Sequence, residues 1–146
     1  MTLSRVAMLI AATSLLAVSV QSHAANWVSI GGNGTTEAFI DKQSLRRTGQ
    51  KVKVWSKWEY SEPMEVRASY SKKTYLASKE LDIYDCSERT SLTTQQTLYG
   101  TPDMDSVVGS FSSPDFPHLY SEVVPDSIGE AILEFACKET AHTKRS

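Results

Sequence analysis

The chain runs to 146 residues but holds only two cysteines and three histidines. Those shortages exclude much chemistry. There is no C-x-x-C pair and no cysteine–histidine cluster, so neither a dithiol redox motif nor a structural zinc site can be written from these residues. Past the first 24 positions the histidines are His118, in a proline-bounded loop, and His142, near the end. Neither stands in an H-E-x-x-H pattern, and no G-x-S-x-G nucleophile elbow occurs. A Ser-His-Asp triad would have to recruit His118, which has no positioned partner and reads as a loop residue. Asp103 and Asp105 have the alternate spacing of a calcium loop. Val108 replaces the glycine such a loop requires and no glutamate closes it, so they read as turn and strand-entry residues. No glycine-rich phosphate cradle links a strand to a helix. The expectation is a protein without catalytic residues, metal or cofactor. Positive charge is not in excess either: 15 Lys and Arg stand against 17 Asp and Glu, a formal net charge of −2. That balance argues against nucleic acid or an anionic membrane as general partner.

Long apolar runs are also scarce, with one exception. Arg5 is followed by an apolar stretch over residues 6–20 and then by Ser22-His23-Ala24. This is the pattern of an export leader cleaved after Ala24. The stretch is short of the roughly 20 residues a bilayer span needs, and no basic stop-transfer cluster follows. No stable membrane insertion is expected, and no cysteine near the cleavage point offers a lipid attachment. The reading is a leader over residues 1–24 and a single domain over residues 25–146, of a size that sustains a core. Loss of Arg5 with the leader makes the mature chain more acidic by one charge. Export places Cys86 and Cys137 together in an oxidising compartment, where an even pair reads as a disulfide. Closing a loop of about 50 residues would stabilise the fold by about 4 kcal/mol in the loop-entropy model. Free thiols, or a redox or metal pair, are the alternatives, and no motif supports them.

What is present is strand pattern and one helix. Residues 27–30 and 35–40 are apolar runs joined by Gly31-Gly32-Asn33-Gly34, a hairpin signal. Asn33-Gly34-Thr35 also spells a glycosylation sequon, but the turn suffices to explain it. Residues 41–48 read as a short helical turn ended by Gly49. Residues 51–60 form the clearest strand. Val52, Val54, Trp58 and Tyr60 share one face with Ser56, and Lys51, Lys53, Trp55, Lys57 and Glu59 share the other. Residues 61–73, with Pro63, read as a loop. The next strand, 76–86, carries Leu81 and Ile83 on one face and Cys86 on the other beside Asp82 and Tyr84. Either the disulfide forms on that less apolar side or a bulge near Asp85 turns Cys86 round. Strands at 89–99 and 106–111 follow, then an irregular crossing at 112–120 with Pro114 and Pro117. Ser127 and Glu130 have capping-box spacing. Ile128, Ala131, Ile132, Phe135 and Ala136 recur at helical spacing up to Cys137, so this helix must bury one face. Residues 138–146 read as a frayed tail. Trp27, Trp58 and Phe135 read as core, and Ile132 and Phe135 are expected against the sheet.

In order, the motifs are W-V-S-I, F-I-D at 39–41, V-W-S-K-W-E-Y at 54–60, D-C at 85–86 and V-P-D-S-I-G-E-A-I-L-E-F-A-C at 124–137. This series resembles the surface-adhesin protein E-like family of bacterial exported proteins, from about Asn26 to Cys137. The resemblance implies an α+β, mainly β fold: a six-stranded antiparallel sheet, one C-terminal helix packed on it, and a disulfide tying the two. It also implies an exported binding module. Members that gave the family its name are outer-surface lipoproteins that attach to host extracellular-matrix proteins.

One constellation points to binding. Lys42, Arg46, Arg47, Lys51, Lys53 and Lys57 lie between Asp41 and Glu59 with no acidic residue among them. With Trp55 they read as a cationic, aromatic-bearing patch for a polyanion or an acidic partner segment. The competing reading is a solvated sheet face whose lysines guard against aggregation. Two function classes stand beside each other: an exported adhesive module that binds a host matrix protein or polyanion, and a soluble periplasmic protein with a structural or small-ligand role. The periplasm is the first expectation for location, with the cell surface or exterior as the other. The sequence does not speak to oligomeric state.

Overall fold

The structure, a computed structural model, describes residues 24–66 and 72–142. The expected leader lies outside the described residues except for Ala24, as do residues 143–146 of the expected tail.

Eight strands, one α-helix and two single 3₁₀ turns are present among the described residues, two strands more than the six expected. They are β1 (Trp27–Gly32), β2 (Thr36–Asp41), β3 (Arg46–Thr48), β4 (Lys51–Glu65), β5 (Thr74–Asp85), β6 (Thr90–Tyr99), β7 (Val107–Ser112) and β8 (Ser121–Glu122), followed by α1 (Ile128–His142). The main antiparallel path is β1-β2-β4-β5-β6-β7, which holds the six expected strands. The two additions are short edge pieces, β3 on β4 and β8 on β6. The sequence pattern predicts a helical turn that includes Arg46–Thr48. Only Lys42–Ser44 is helical, as one 3₁₀ turn capped by the Asp41 carboxylate, which accepts from the Gln43 N–H at 3.0 Å. The chain then re-enters the sheet beside the start of β4. Ser44 bridges the break, its hydroxyl accepting the Trp55 backbone N–H at 2.9 Å where the ladder lacks a strand partner.

β4 also runs further than expected, through Pro63 to Glu65. Its pairing with β5 shifts between Glu59 and Met64, so Pro63 sits in a bulged stretch that asks nothing of a missing N–H. The β1–β2 turn forms as read. Asn33 accepts from the Thr35 and Thr36 N–H groups, and Gly34 adopts φ +89.

α1 opens half as the capping-box pattern implies. The Ser127 hydroxyl accepts the Glu130 N–H at 3.2 Å, but Glu130 reaches back to the N–H of Asp126, at 2.7 Å, instead of that of Ser127. Asp126 takes φ +58, which turns its amide toward the helix. The helix does not stop at Cys137 but continues to His142. Arg47 explains part of that extension: its guanidinium donates to the Cys137 carbonyl and to the Thr140 hydroxyl, satisfying C-terminal groups that a fraying helix would leave to water.

α1 covers the even-numbered face of β4. Ala38, Ile40, Val54 and Tyr84 from the sheet meet Ile132 and Leu133 from the helix, with Ile30, Trp58, Ile128 and Phe135 packed round them. Ile132 is buried as expected, whereas Phe135 is half-buried and Leu133 takes a fully enclosed place instead. Trp27 departs from the core reading: it is half-exposed on the other side of the sheet, because β1 is an edge strand and Trp27 is the register partner of Asp41, on the face of β2 turned away from the helix. Cys86 begins the turn after β5 and keeps the parity of Asp82 and Tyr84, the helix side, so no bulge at Asp85 is needed. It bonds Cys137 with the two Cα atoms 5.9 Å apart.

Two outcomes follow for stability. Thiol titration of the denatured, unreduced protein should find no free thiol, and reduction should lower the unfolding free energy by about 2–5 kcal/mol. Ile132→Ala should cost about 2–5 kcal/mol in urea unfolding, as removal of a fully buried branched side chain does.

Candidate functional site

Among the described residues the face of the sheet away from α1 carries no second α-helix. Lys51, Lys53, Trp55 and Lys57 all point to it, because alternate residues of β4 share a face and Val52, Val54 and Ser56 are turned to the helix. Arg46 joins them as the register partner of Lys53. Arg47 and Lys42 do not. Arg47 is the partner of Val52 and holds the C-terminal part of α1; Lys42 pairs with Glu139 at 2.7 Å and lies over the Phe135 ring. The basic run that looked continuous in the sequence is therefore split between two sides of the molecule.

The cations on the open side are held in different ways. The Lys51 ammonium donates to the Tyr120 hydroxyl at 2.9 Å, lies 4.2 Å from the centroid of its ring and 3.8 Å from Asp115. That hydrogen bond, ahead of the nearby carboxylates, raises its pKa above the ordinary lysine value. The crossing after β7 thus folds over this end of the face. Lys53 is exposed, and Arg46 donates to the carbonyls of Gln43 and Leu45, each at 2.8 Å. Lys57 is the most enclosed, its side chain 18% exposed, with Glu59 at 2.6 Å and the Phe39 ring centroid 4.0 Å from its ammonium.

Three residues outside the predicted patch, Lys79, Trp27 and Tyr99, complete the face. Lys79 is the register partner of Lys57, and its ammonium lies 5.9 Å from the Trp27 centroid and 5.6 Å from that of Tyr99. The Lys57 ammonium is 5.8 Å from the same Trp27 ring. The alternation of Lys79 with Leu81 and Ile83 was the available signal for Lys79. Nothing local announces that Trp27, on an edge strand, reaches lysines from two inner strands.

A family model, surface-adhesin protein E, matches residues 27–138, most of the chain. The chain belongs to the surface-adhesin protein E family. Among solved structures, protein E of Haemophilus influenzae is similar at 13% identity, with a TM-score of 0.52 over 77% of this chain and 83% of that one. Protein E from non-typeable Haemophilus influenzae is similar at 12% identity, with a TM-score of 0.53 over 80% and 78%. At such identity the likeness carries the fold. No curated protein sequence matches this chain significantly.

Within this adhesin E fold the most perturbed acid lies on the helix side. Asp82, 4% exposed, accepts from the hydroxyls of Ser56 and Thr93, each at 2.7 Å, and Ser56 in turn accepts from the Trp58 indole at 3.1 Å. Burial, and then the neighbouring Glu80, push its pKa from 3.8 up to about 7 against those hydrogen bonds. Its geometry is that of a tied-down strand residue. His118, the one histidine weighed for catalysis, stacks on Phe116 in an exposed turn. Among the described residues no three His, Cys, Asp or Glu side chains converge as metal ligands.

Asp82 sets a pH dependence whose sign can be worked out. Between about pH 4 and pH 7 the folded chain holds a proton the unfolded chain has released, so stability falls as pH rises through that window. A rise from 3.8 to about 7 corresponds to roughly 4 kcal/mol. Urea unfolding of wild type and Asp82→Asn across this range should show the difference between them changing in that direction. Parallel curves would contradict it.

Proposed function

We propose that this chain is an exported, non-catalytic binding module of the adhesin E type, which attaches to a host extracellular-matrix protein or a polyanion through the open face of its sheet. The observation that carries the reading is that face itself: a broad surface left without a helix, bearing Arg46, Lys51, Lys53, Trp55 and Lys57 on one side of the molecule. Arg47 supports it from behind by fixing α1. The family supplies the adhesive role and the leader pattern supplies export. Attraction of lysines to an acidic surface weakens as salt screens it over about 8–10 Å, and the indole adds contact area that salt affects less. A periplasmic structural or small-ligand role is the second reading, favoured by the lack of a cysteine at the expected cleavage point for lipid attachment.

Immobilised matrix proteins and heparin provide the test. Wild type should bind at low salt. Lys53→Glu with Arg46→Glu, which disturbs no ion pair among the described residues, should weaken binding roughly tenfold, as reversal of interface charges does. Unchanged binding would remove the patch as the site. No binding by wild type, together with protection of the protein from external protease on whole cells, would favour the periplasmic role.

A further inference from the structure

Lys57 and Lys79 stand directly opposite each other on β4 and β5. Like charges in that relation repel across a sheet. One carboxylate, Glu59, serves the pair, and it belongs to Lys57 at 2.6 Å. Lys79 has no ion pair among the described residues. Three rings wall the two ammoniums in: Phe39 at Lys57, Trp27 between the two, and Tyr99 at Lys79. Their faces attract cations, which offsets part of the repulsion, and their bulk excludes water, so a charge arriving here is felt more strongly than on a plain wet surface.

We propose that the centre of the open face seats a carboxylate of an acidic, apolar-flanked segment of a partner protein, between Lys57 and Lys79 and against the rings of Trp27 and Tyr99. This rests on the binding role proposed above and names the chemistry of its partner. The surroundings choose between acidic partners. Glu37 and Glu59 are register partners one row away, and Asp41 lies on the row beyond Phe39. A continuous polyanion laid across the face would run its charges over these carboxylates. An isolated carboxylate with apolar neighbours meets the unmatched lysine alone and places those neighbours on the rings. In an extended segment, side chains on one side recur about every 6.6–7 Å. The two ring centroids lie 5.9 and 5.6 Å from the Lys79 ammonium, a separation that the residues two before and two after the acid can span.

The probe is a blocked peptide with phenylalanine, glutamate and phenylalanine at alternate positions separated by threonines, alongside its glutamine counterpart and heparin. Each is titrated by NMR into wild type, Lys79→Gln and Lys138→Gln. The acidic peptide should bind wild type and shift the Trp27 indole resonance. Lys79→Gln should lose about tenfold, consistent with a charge-assisted hydrogen bond, while Lys138→Gln, an exposed lysine of α1 on the other side of the sheet, should match wild type. The glutamine peptide should bind wild type about tenfold more weakly than the acidic one and bind Lys79→Gln with little further loss, since the two changes remove one interaction. Absence of peptide binding to wild type, or independent losses in the cycle, overturns the proposal. Heparin binding that alone depends on Lys79 would assign the face to a polyanion instead. Matrix-protein binding retained by Lys79→Gln would sink this seat and leave the attachment reading standing. An intact peptide cycle without matrix-protein binding would do the reverse.

Discussion

α1 is the only α-helix among the described residues, and the sheet beneath it has two faces. Everything distinctive about the molecule follows from where that helix is fastened. Ile132 and Leu133 bury against Ala38, Ile40 and Val54, Cys137 is bonded to Cys86, and Arg47 and Lys42 hold the far end while Arg89 pairs with Glu130 near the start. All of these anchors engage the same side. The hydrophobic stabilisation of burial is therefore concentrated on one face, and the other must present residues that tolerate water without inviting edge-to-edge or face-to-face association.

Lysines and aromatics meet that second requirement together. Long lysine stems cover apolar neighbours while their ammoniums stay wet, and rings give partly exposed apolar area with a polarised face. The same composition that solvates a sheet also equips it to bind, which is why neither reading of the patch could be discarded from residue types alone. Placement separates the residues by role. Lys51 is committed to Tyr120 and Asp115 and closes the crossing onto the sheet. Lys57 is committed to Glu59. Arg46, Lys53 and Lys79 are the cations of this face without a carboxylate partner among the described residues.

The two sides of the sheet treat charge oppositely. On the helix side a single carboxylate, Asp82, is taken out of water and supplied with hydroxyl donors, at the expense of a raised pKa. On the open side, cations are stacked on rings instead of being neutralised in every case. A buried acid tied to two strands restricts the sheet, whereas partly exposed lysines on rings leave room for a ligand. The raised pKa of Asp82 thus accompanies a residue tied between strands by hydroxyl donors.

The sequence by itself determined the elements and the local pairing of side chains with faces. Alternation along β4 sorted Val52, Val54 and Ser56 from Lys51, Lys53, Trp55 and Lys57, and helical spacing with Ser127 and Glu130 placed α1. The pairing of two cysteines in an exported chain followed from composition. These signals are legible because periodicity and capping act within a few residues. Tertiary structure alone decided which face α1 covers, that Arg47 and Lys42 serve the helix while Arg46 faces outward, and that Phe135 yields the innermost place to Leu133. It also decided that Trp27 and Tyr99 meet Lys79, and that Lys79 opposes Lys57. Those relations depend on strand order and register between segments far apart in the chain. No local pattern encodes them, since any strand with the same alternation could have been the neighbour.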